Sequence, residues 1–317
     1  MKKINNVGQD FIVKREDGHS LKGTEFIPKN IIATLLIVHG MTEHRKRYFA
    51  FANYLYENNI AVFLYDQRGH GESILPEEMP GFLATDNGWN FLIEDLGRVV
   101  SVVKTKVKES PFFIMGHSMG SFVLRSYLAY FSNQIDGAII CGTSGMSAIV
   151  PTFGEKIAKK IIKKKGATYI SPFLEKMAFG NYNKKIKPHL TKFDWLTCDE
   201  YIVKQYIKDN LCGFPCPTIF YKDLFYGLAF VNKKSTYKRY AKTVPLFIIS
   251  GDMDPVGNYG KGVKRFYKKL KRQKIKDIEF KLYENGRHEI HNELFADEVY
   301  SDILNWINGK LTTTHSN

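Results

Sequence analysis

Five residues, Gly116-His117-Ser118-Met119-Gly120, constrain this chain more than any other stretch. They fit the pattern G-x-S-x-G. The β-prone run Phe112-Phe113-Ile114-Met115 leads straight in, and the helix-prone Phe122-Val123-Leu124 follows straight after. A strand that turns into a helix so abruptly forces the central residue into a strained backbone conformation. The flanking glycines let neighbouring chain pass where a Cβ would clash. Such a turn presents a serine hydroxyl above a sheet edge, at a helix N-terminus that favours developing negative charge. The bland alternative is a tight turn without chemistry, and the rest of the sequence decides between the two.

Around that turn the pattern alternates. Residues 11–27 read as a hairpin about Asp17-Gly18. Strand-like runs follow at 31–38, 60–65, 111–115 and 135–141, with helical stripes at 45–58, 88–108 and 121–131 between them. Strand and helix in alternation predict an α/β fold with a mainly parallel central sheet flanked by helices. The rhythm breaks at about residue 145. Residues 145–220 are lysine- and aromatic-rich with helical periodicity and no convincing strand. It resumes with a strand at 244–250, a helix at 260–271, a strand at 278–283 and a helix from about 293 to 307. The expected organisation is a core of residues 1–144 and 221–317, with a mostly helical cap at 145–220 inserted after the fourth to sixth strand region. The tail from Leu311 to Asn317 is expected to fray.

A serine hydroxyl is a weak nucleophile. It needs a base to take its proton and an acid to orient that base. Of nine histidines, only His288, His291 and His315 follow the last expected strand, and His315 sits in the tail. His288 lies in the loop Glu284-Asn285-Gly286-Arg287, which can reach the sheet's carboxyl edge; His291 is its competitor. For the acid, Ser250-Gly251-Asp252-Met253-Asp254-Pro255 ends a strand at that same edge. Asp254, further out and followed by the rigid Pro255, is favoured over Asp252. An oxyanion needs two donors. The Met119 N–H follows the serine directly, and the Met41 N–H is the candidate from the loop His39-Gly40-Met41-Thr42-Glu43-His44. His39 and His44 are expected to shape that loop.

These stretches, with Asp66-Gln67-Arg68-Gly69-His70-Gly71-Glu72-Ser73 and His288-Glu289-Ile290-His291-Asn292-Glu293, span about 255 residues in one order. In that order they resemble the α/β-hydrolase superfamily, and within it the monoacylglycerol lipase/lysophospholipase group, also described as serine-aminopeptidase-like hydrolases. The resemblance implies Ser118, Asp254 and His288 as catalytic triad, Met41 and Met119 as oxyanion donors, and a helical cap over the site. The family motif usually has a small residue where this chain has Met41, so one wall of the pocket is expected to be narrower. The implied activity is cleavage of monoacylglycerol or lysophospholipid esters through an acyl-enzyme on Ser118, with no metal and no cofactor. A small-ester carboxylesterase or an acyl thioesterase would use the same residues, and a catalytically inactive ligand-binding protein is the non-enzyme alternative. Cap aromatics Phe153, Phe173, Phe179, Tyr182 and Trp195 are candidates to line an acyl tunnel, against the alternative that they form the cap's own core.

Composition narrows the partners. The formal charge of +14 over 317 residues is regional. Residues 154–192 carry a net +9 and residues 261–276 another +9, while the remainder is slightly acidic at −4. Lysine without interleaved arginine and aromatics argues against nucleic acid. Cap lysines meeting an anionic membrane fit a lipid-like ester substrate better, at roughly 1 kcal/mol for each Lys near such a surface. No apolar run approaches the roughly 18–20 residues of a membrane span, and residues 1–6 lack the apolar stretch of a signal peptide. Four cysteines without CxxC or metal-ligand spacing favour a reducing, cytoplasmic setting, with peripheral membrane contact as an addition. The sequence assigns no oligomeric state.

Overall fold

The computed structural model describes residues 8–187 and 189–314; residues 1–6 and His315 therefore lie outside the described residues. Eight strands form one sheet: β1 (Gln9–Lys14), β2 (Ser20–Phe26), β3 (Ala33–Val38), β4 (Ile60–Tyr65), β5 (Phe112–His117), β6 (Gly137–Cys141), β7 (Leu246–Gly251) and β8 (Ile278–Tyr283). Their spatial order is β1-β2-β4-β3-β5-β6-β7-β8. β2 pairs antiparallel with β1 and β4, and every other pairing is parallel. β3 to β7 are buried along their whole length, which is why they read as nearly unbroken apolar runs.

Helices cover both faces. α1 (Phe49–Glu57) and α10 (Ala296–Thr314) pack on one; α2 (Gly88–Lys106), α3 (Met119–Phe131) and α9 (Lys261–Lys271) pack on the other. The strands feed the two faces alternately. Leu35 and Ile37 join the α1/α10 side, and Leu36 and Val38 join the α2/α3 side. α10 continues through Leu311 to Thr314, where fraying was expected, because Leu311 still packs against the α1/α10 core. In α9, Val263, Phe266 and Leu270 turn inward and all six of its basic residues turn outward or half outward. Two of those, Arg265 and Lys269, donate to the carbonyls of Gly145 and Met146.

The helical insertion falls between β6 and β7. It comprises α4 (Ile149–Lys165), α5 (Pro172–Phe179), α6 (Glu200–Lys208), α7 (Thr218–Asn232) and α8 (Lys234–Tyr237). Among the described residues its only β pairing is the isolated bridge between Ile170 and Pro217. α7 runs straight across residue 220, the expected cap boundary. Its Phe220, Tyr221, Leu224 and Phe225 belong to the same apolar cluster as α2 and α3, so one helix serves both layers. Gly227 makes this approach possible, since a Cβ there would stand 2.1 Å from the Trp89 ring of α2.

The start of α3 is pressed onto the end of β3. A Cβ on Gly120 would lie 2.1 Å from the Val38 carbonyl oxygen and 2.4 Å from that of His39, and neither backbone atom can swing away. Gly120→Ala is therefore expected to destabilise the protein at the upper end of roughly 1–3 kcal/mol or beyond, read as a fall in the urea midpoint. An unchanged midpoint would show that the contact is slack.

Candidate active site

β5 delivers the turn between strand and helix. Ser118 has φ 53° and ψ −121°, far from the conformations a side-chain-bearing residue prefers. The strain is held by neighbours. The Ser118 N–H donates to the Cys141 carbonyl at 3.1 Å, and its carbonyl accepts the Ser121 N–H at 2.9 Å and the Ser121 hydroxyl at 2.6 Å. Met119 opens α3, so its N–H has no partner within the helix.

Asp254 and His288 come together from the loops after β7 and β8. His288 Nδ1 lies 3.0 Å from Asp254 Oδ1. The same carboxylate accepts the Val256 N–H at 2.8 Å and the Ser250 hydroxyl at 3.1 Å, so its oxygens are fixed in place. The competitors stand elsewhere. His291 is stacked on Tyr48 at 4.5 Å with neither ring nitrogen hydrogen-bonded, and Asp252 has an unpartnered carboxylate oxygen. Ser118 and His288 open onto one cavity of about 780 Å³, which Gly40, Met41 and Met119 also line.

The loop bearing Met41 is pinned from both sides. His39 Nε2 accepts the Gln67 N–H at 2.9 Å, which leaves Nδ1–H to donate to the Gly40 carbonyl at 2.6 Å. Thr42 sits at φ 51°, an uncommon conformation for a β-branched residue. Its carbonyl accepts the Tyr206 hydroxyl and the Gly213 N–H, both at 2.9 Å and both from the insertion. The insertion also grips the His288 loop: the His288 and Glu289 N–H groups donate to the Trp195 and Leu196 carbonyls at 3.3 and 2.7 Å.

The cap aromatics divide. Phe179, Tyr182 and Trp195 line the cavity, and Trp195 lies 5.0 Å from the His288 ring. Phe153 and Phe173 do not line it and are 65 % and 58 % exposed. Phe153 sits on the outer face of α4 and Phe173 on that of α5, and aromatic content alone does not reveal which face is inward. Further walls come from Phe214, Phe225 and Leu228.

Sequence reasoning missed the polar cluster beneath the site. Glu43 accepts the Gly40 N–H at 2.6 Å, the Tyr48 hydroxyl at 2.8 Å and Arg47 Nη1 at 2.9 Å, and faces His117 Nδ1 at 3.4 Å. Arg47 reaches both oxygens of Glu289, at 2.5 and 2.6 Å. All are buried or nearly so. Burial acts to raise the Glu43 carboxyl, but the His117 hydrogen bond and the Arg47 charge outweigh it and hold the group well below the usual range. Burial likewise opposes the His117 cation, yet Glu43 keeps its pKa above the ordinary value. The available signal was a run of charges, Glu43 to Arg47, leading into an apolar helical stripe.

A family model described as serine aminopeptidase, S33, matches residues 29–294. Rat monoglyceride lipase is 24 % identical over 285 residues, covering 88 % of this chain and 83 % of that protein. An abhydrolase-domain protein of Dictyostelium discoideum is 25 % identical over 294 residues, but the chain spans only 27 % of its length. A thermostable carboxyl esterase from Bacillus coagulans, solved in complex with glycerol, superposes with a TM-score of 0.85 at 26 % identity, covering 96 % of this chain and 99 % of that one.

Two outcomes are expected. Glu43→Ala removes the acceptor of three donors and leaves Arg47 half-paired, so it should cost about 3–5 kcal/mol, measured by chemical denaturation; a loss below 1 kcal/mol would contradict the cluster's role. Separately, burial lowers His39 to about 4, and His70 and His291 to about 3. Below pH ~6.5 the unfolded chain binds protons that the native protein refuses. Their contribution is complete above that pH and is lost as pH falls toward 4, by up to about 1.4 kcal/mol per pH unit for each histidine. The denaturation midpoint should be lower at pH 5.5 than at 7.5, and His291→Phe, which keeps the stack on Tyr48, should flatten the slope.

Proposed function

The chain belongs to the serine aminopeptidase (S33) family of α/β-hydrolases; it is a carboxylic ester hydrolase acting on lipid esters, and we propose that its substrate is a monoacylglycerol cleaved through an acyl-enzyme on Ser118. The observation that carries this reading is the 780 Å³ cavity over Ser118, walled largely by aromatic and aliphatic side chains of the insertion and large enough for a small-molecule ligand.

The proposed chemistry runs as follows. His288 Nε2 takes the Ser118 hydroxyl proton as Oγ attacks the ester carbonyl carbon. The Met119 and Met41 N–H groups bind the resulting oxyanion, each worth roughly 3–4 kcal/mol of barrier. The intermediate collapses, His288 returns its proton to the departing glycerol oxygen, and the acyl group stays on Ser118. Water then attacks with His288 again as base, and the fatty acid leaves. Asp254 holds His288 Nδ1–H in place and stabilises the imidazolium. In this reading residues 145–220 are the cap, α7 is the stem joining it to the core, and Phe179, Tyr182 and Trp195 contact the acyl chain.

The outer face of the cap supports a contact with an anionic lipid surface. Ile149, Val150 and Phe153 of α4 and Phe173 and Met177 of α5 are exposed, and Val150 and Met177 also line the cavity, so the apolar surface continues from mouth to interior. The α4 lysines 156, 159, 160, 163, 164 and 165 follow directly. Among the described residues no helix is long and apolar enough to cross a membrane. A small-ester carboxylesterase is the second reading, favoured by the likeness to the Bacillus enzyme.

Fluorophosphonate should label the wild type and not Ser118→Ala, and Asp254→Asn should lower kcat by about 10⁴-fold; labelling of neither protein would remove the enzymatic reading. On a panel of monoacylglycerols, lysophospholipids, acyl-CoA thioesters and p-nitrophenyl acetate, long-chain monoacylglycerol should have the highest kcat/KM. Preference for acetate would install the second reading. Binding to phosphatidylserine vesicles should weaken as salt rises, and salt-independent binding would exclude the lysines.

A further inference from the structure

One cluster of ligand-type side chains lies outside the proposed chemistry. His44 ends the loop bearing Met41, and Asp209 and Cys212 lie in the turn that ends α6. Among the described residues they are the one group of at least three histidine, cysteine or acidic side chains whose ligand atoms all lie within 4.8 Å of one another. His44 Nε2 faces Asp209 Oδ2 at 2.9 Å. The turn itself presents the other two groups together: the Cys212 N–H donates to the Asp209 carbonyl at 2.9 Å, and the Leu211 N–H donates to Asp209 Oδ1 at 2.8 Å. The second bond fixes the carboxylate and leaves Oδ2 toward the histidine. Cys212 is a free thiol with no disulfide partner. A cavity of about 330 Å³ lies against Asp209 and Cys212, lined also by Gln205, Asn292, Arg47 and Lys208.

We propose that His44, Asp209 and Cys212 form a zinc site that fastens the insertion to the loop bearing Met41, with water as fourth ligand. One imidazole, one carboxylate and one thiolate suit a borderline-soft ion of tetrahedral preference. A tetrahedral zinc would hold these atoms about 3.3–3.7 Å apart, so the widest pair, within 4.8 Å, closes by up to about 1 Å and the 2.9 Å His44–Asp209 pair opens slightly. The neighbouring Arg47 guanidinium does not repel the ion uncompensated, because Glu43 and Glu289 already pair it. Binding displaces the Cys212 thiol proton to solvent, so affinity rises with pH. The site sits beside the Gly213 N–H bond to the Thr42 carbonyl, so an ion there braces the strained loop. The idea goes beyond the hydrolytic reading and does not depend on it.

The test uses the full chain after chelation, in wild-type and Ser118→Ala forms, titrated calorimetrically with zinc chloride and spectroscopically with Co²⁺. One equivalent should bind both forms, with a near-ultraviolet thiolate–cobalt band and a thermal midpoint that rises with zinc. In Cys212→Ser the band should vanish and affinity should fall by more than the roughly 10- to 100-fold that losing an outer-shell partner costs. His44→Gln should lose affinity similarly while its midpoint without metal stays measurable. Equal zinc binding by wild type and Cys212→Ser, or binding by neither, would overturn the proposal.

Discussion

The site rests on a buried ionic cluster. Glu43 sits where the loop after β3, Tyr48 just before α1 and the residue before the serine all meet. Arg47 then ties that carboxylate to Glu289, which follows His288 in the chain. Two buried carboxylates face one guanidinium and one imidazole whose proton they stabilise. Buried charges tolerate this only when every partner is present, so the loops that carry the proposed base, nucleophile and oxyanion donor share one set of constraints. None of these loops can shift alone without leaving a charge uncompensated.

That rigidity is what strained backbone requires. Ser118 and Thr42 both occupy left-handed φ values on side-chain-bearing residues, each costing of order 1–3 kcal/mol. Ser118 is restrained by β6 and α3 of the core. Thr42 is restrained by Tyr206 and Gly213 of the insertion. The glycines at 116 and 120 matter for the same reason: Gly120 lets α3 start against the end of β3, and Gly116 lets β5 lie against the backbone of Gly120 and Ser121 in α3, with no room for a methyl group at either place. Packing of α2, α3 and α7 into a single apolar cluster then sets the height of the insertion above the sheet.

Much of this was legible in the residues. The period-2 and 3.6 patterns gave most strands and core helices to within a few residues, because the buried strands are uniformly apolar and the helices carry clean stripes; the exception is α10, which runs about two turns past its expected end. The pairing of Asp254 with His288 followed from chain order and the sheet edge. Other features depend on contacts between distant positions and leave no local trace. Glu289 meets Arg47 across 242 positions, and Tyr206 meets Thr42 across 164. The orientation of Phe153 and Phe173 is set by which helix face the insertion turns to the cavity, and an apolar residue exposed beside a cavity mouth looks the same in sequence as one that faces inward. The run of α7 through residue 220 was hidden for a related reason, since its apolar residues serve insertion and core at once. The cysteine spacing pointed away from metals because the third candidate ligand, His44, is 165 positions from Asp209.

The bonds from Tyr206 and Gly213 to Thr42 bear on how such proteins can be remodelled. An insertion that supplied only a roof could be deleted, shortened or exchanged between relatives to change what enters, and the chemistry beneath would survive. Here the roof is also scaffolding for the floor. A transplanted cap would have to bring its own donors to the Thr42 carbonyl, in register, or the loop next to the serine would relax. If the insertion is the cap proposed above, selectivity and reactivity are inherited together in this architecture, and a chimera cut at residue 220 would divide both α7 and the site it supports.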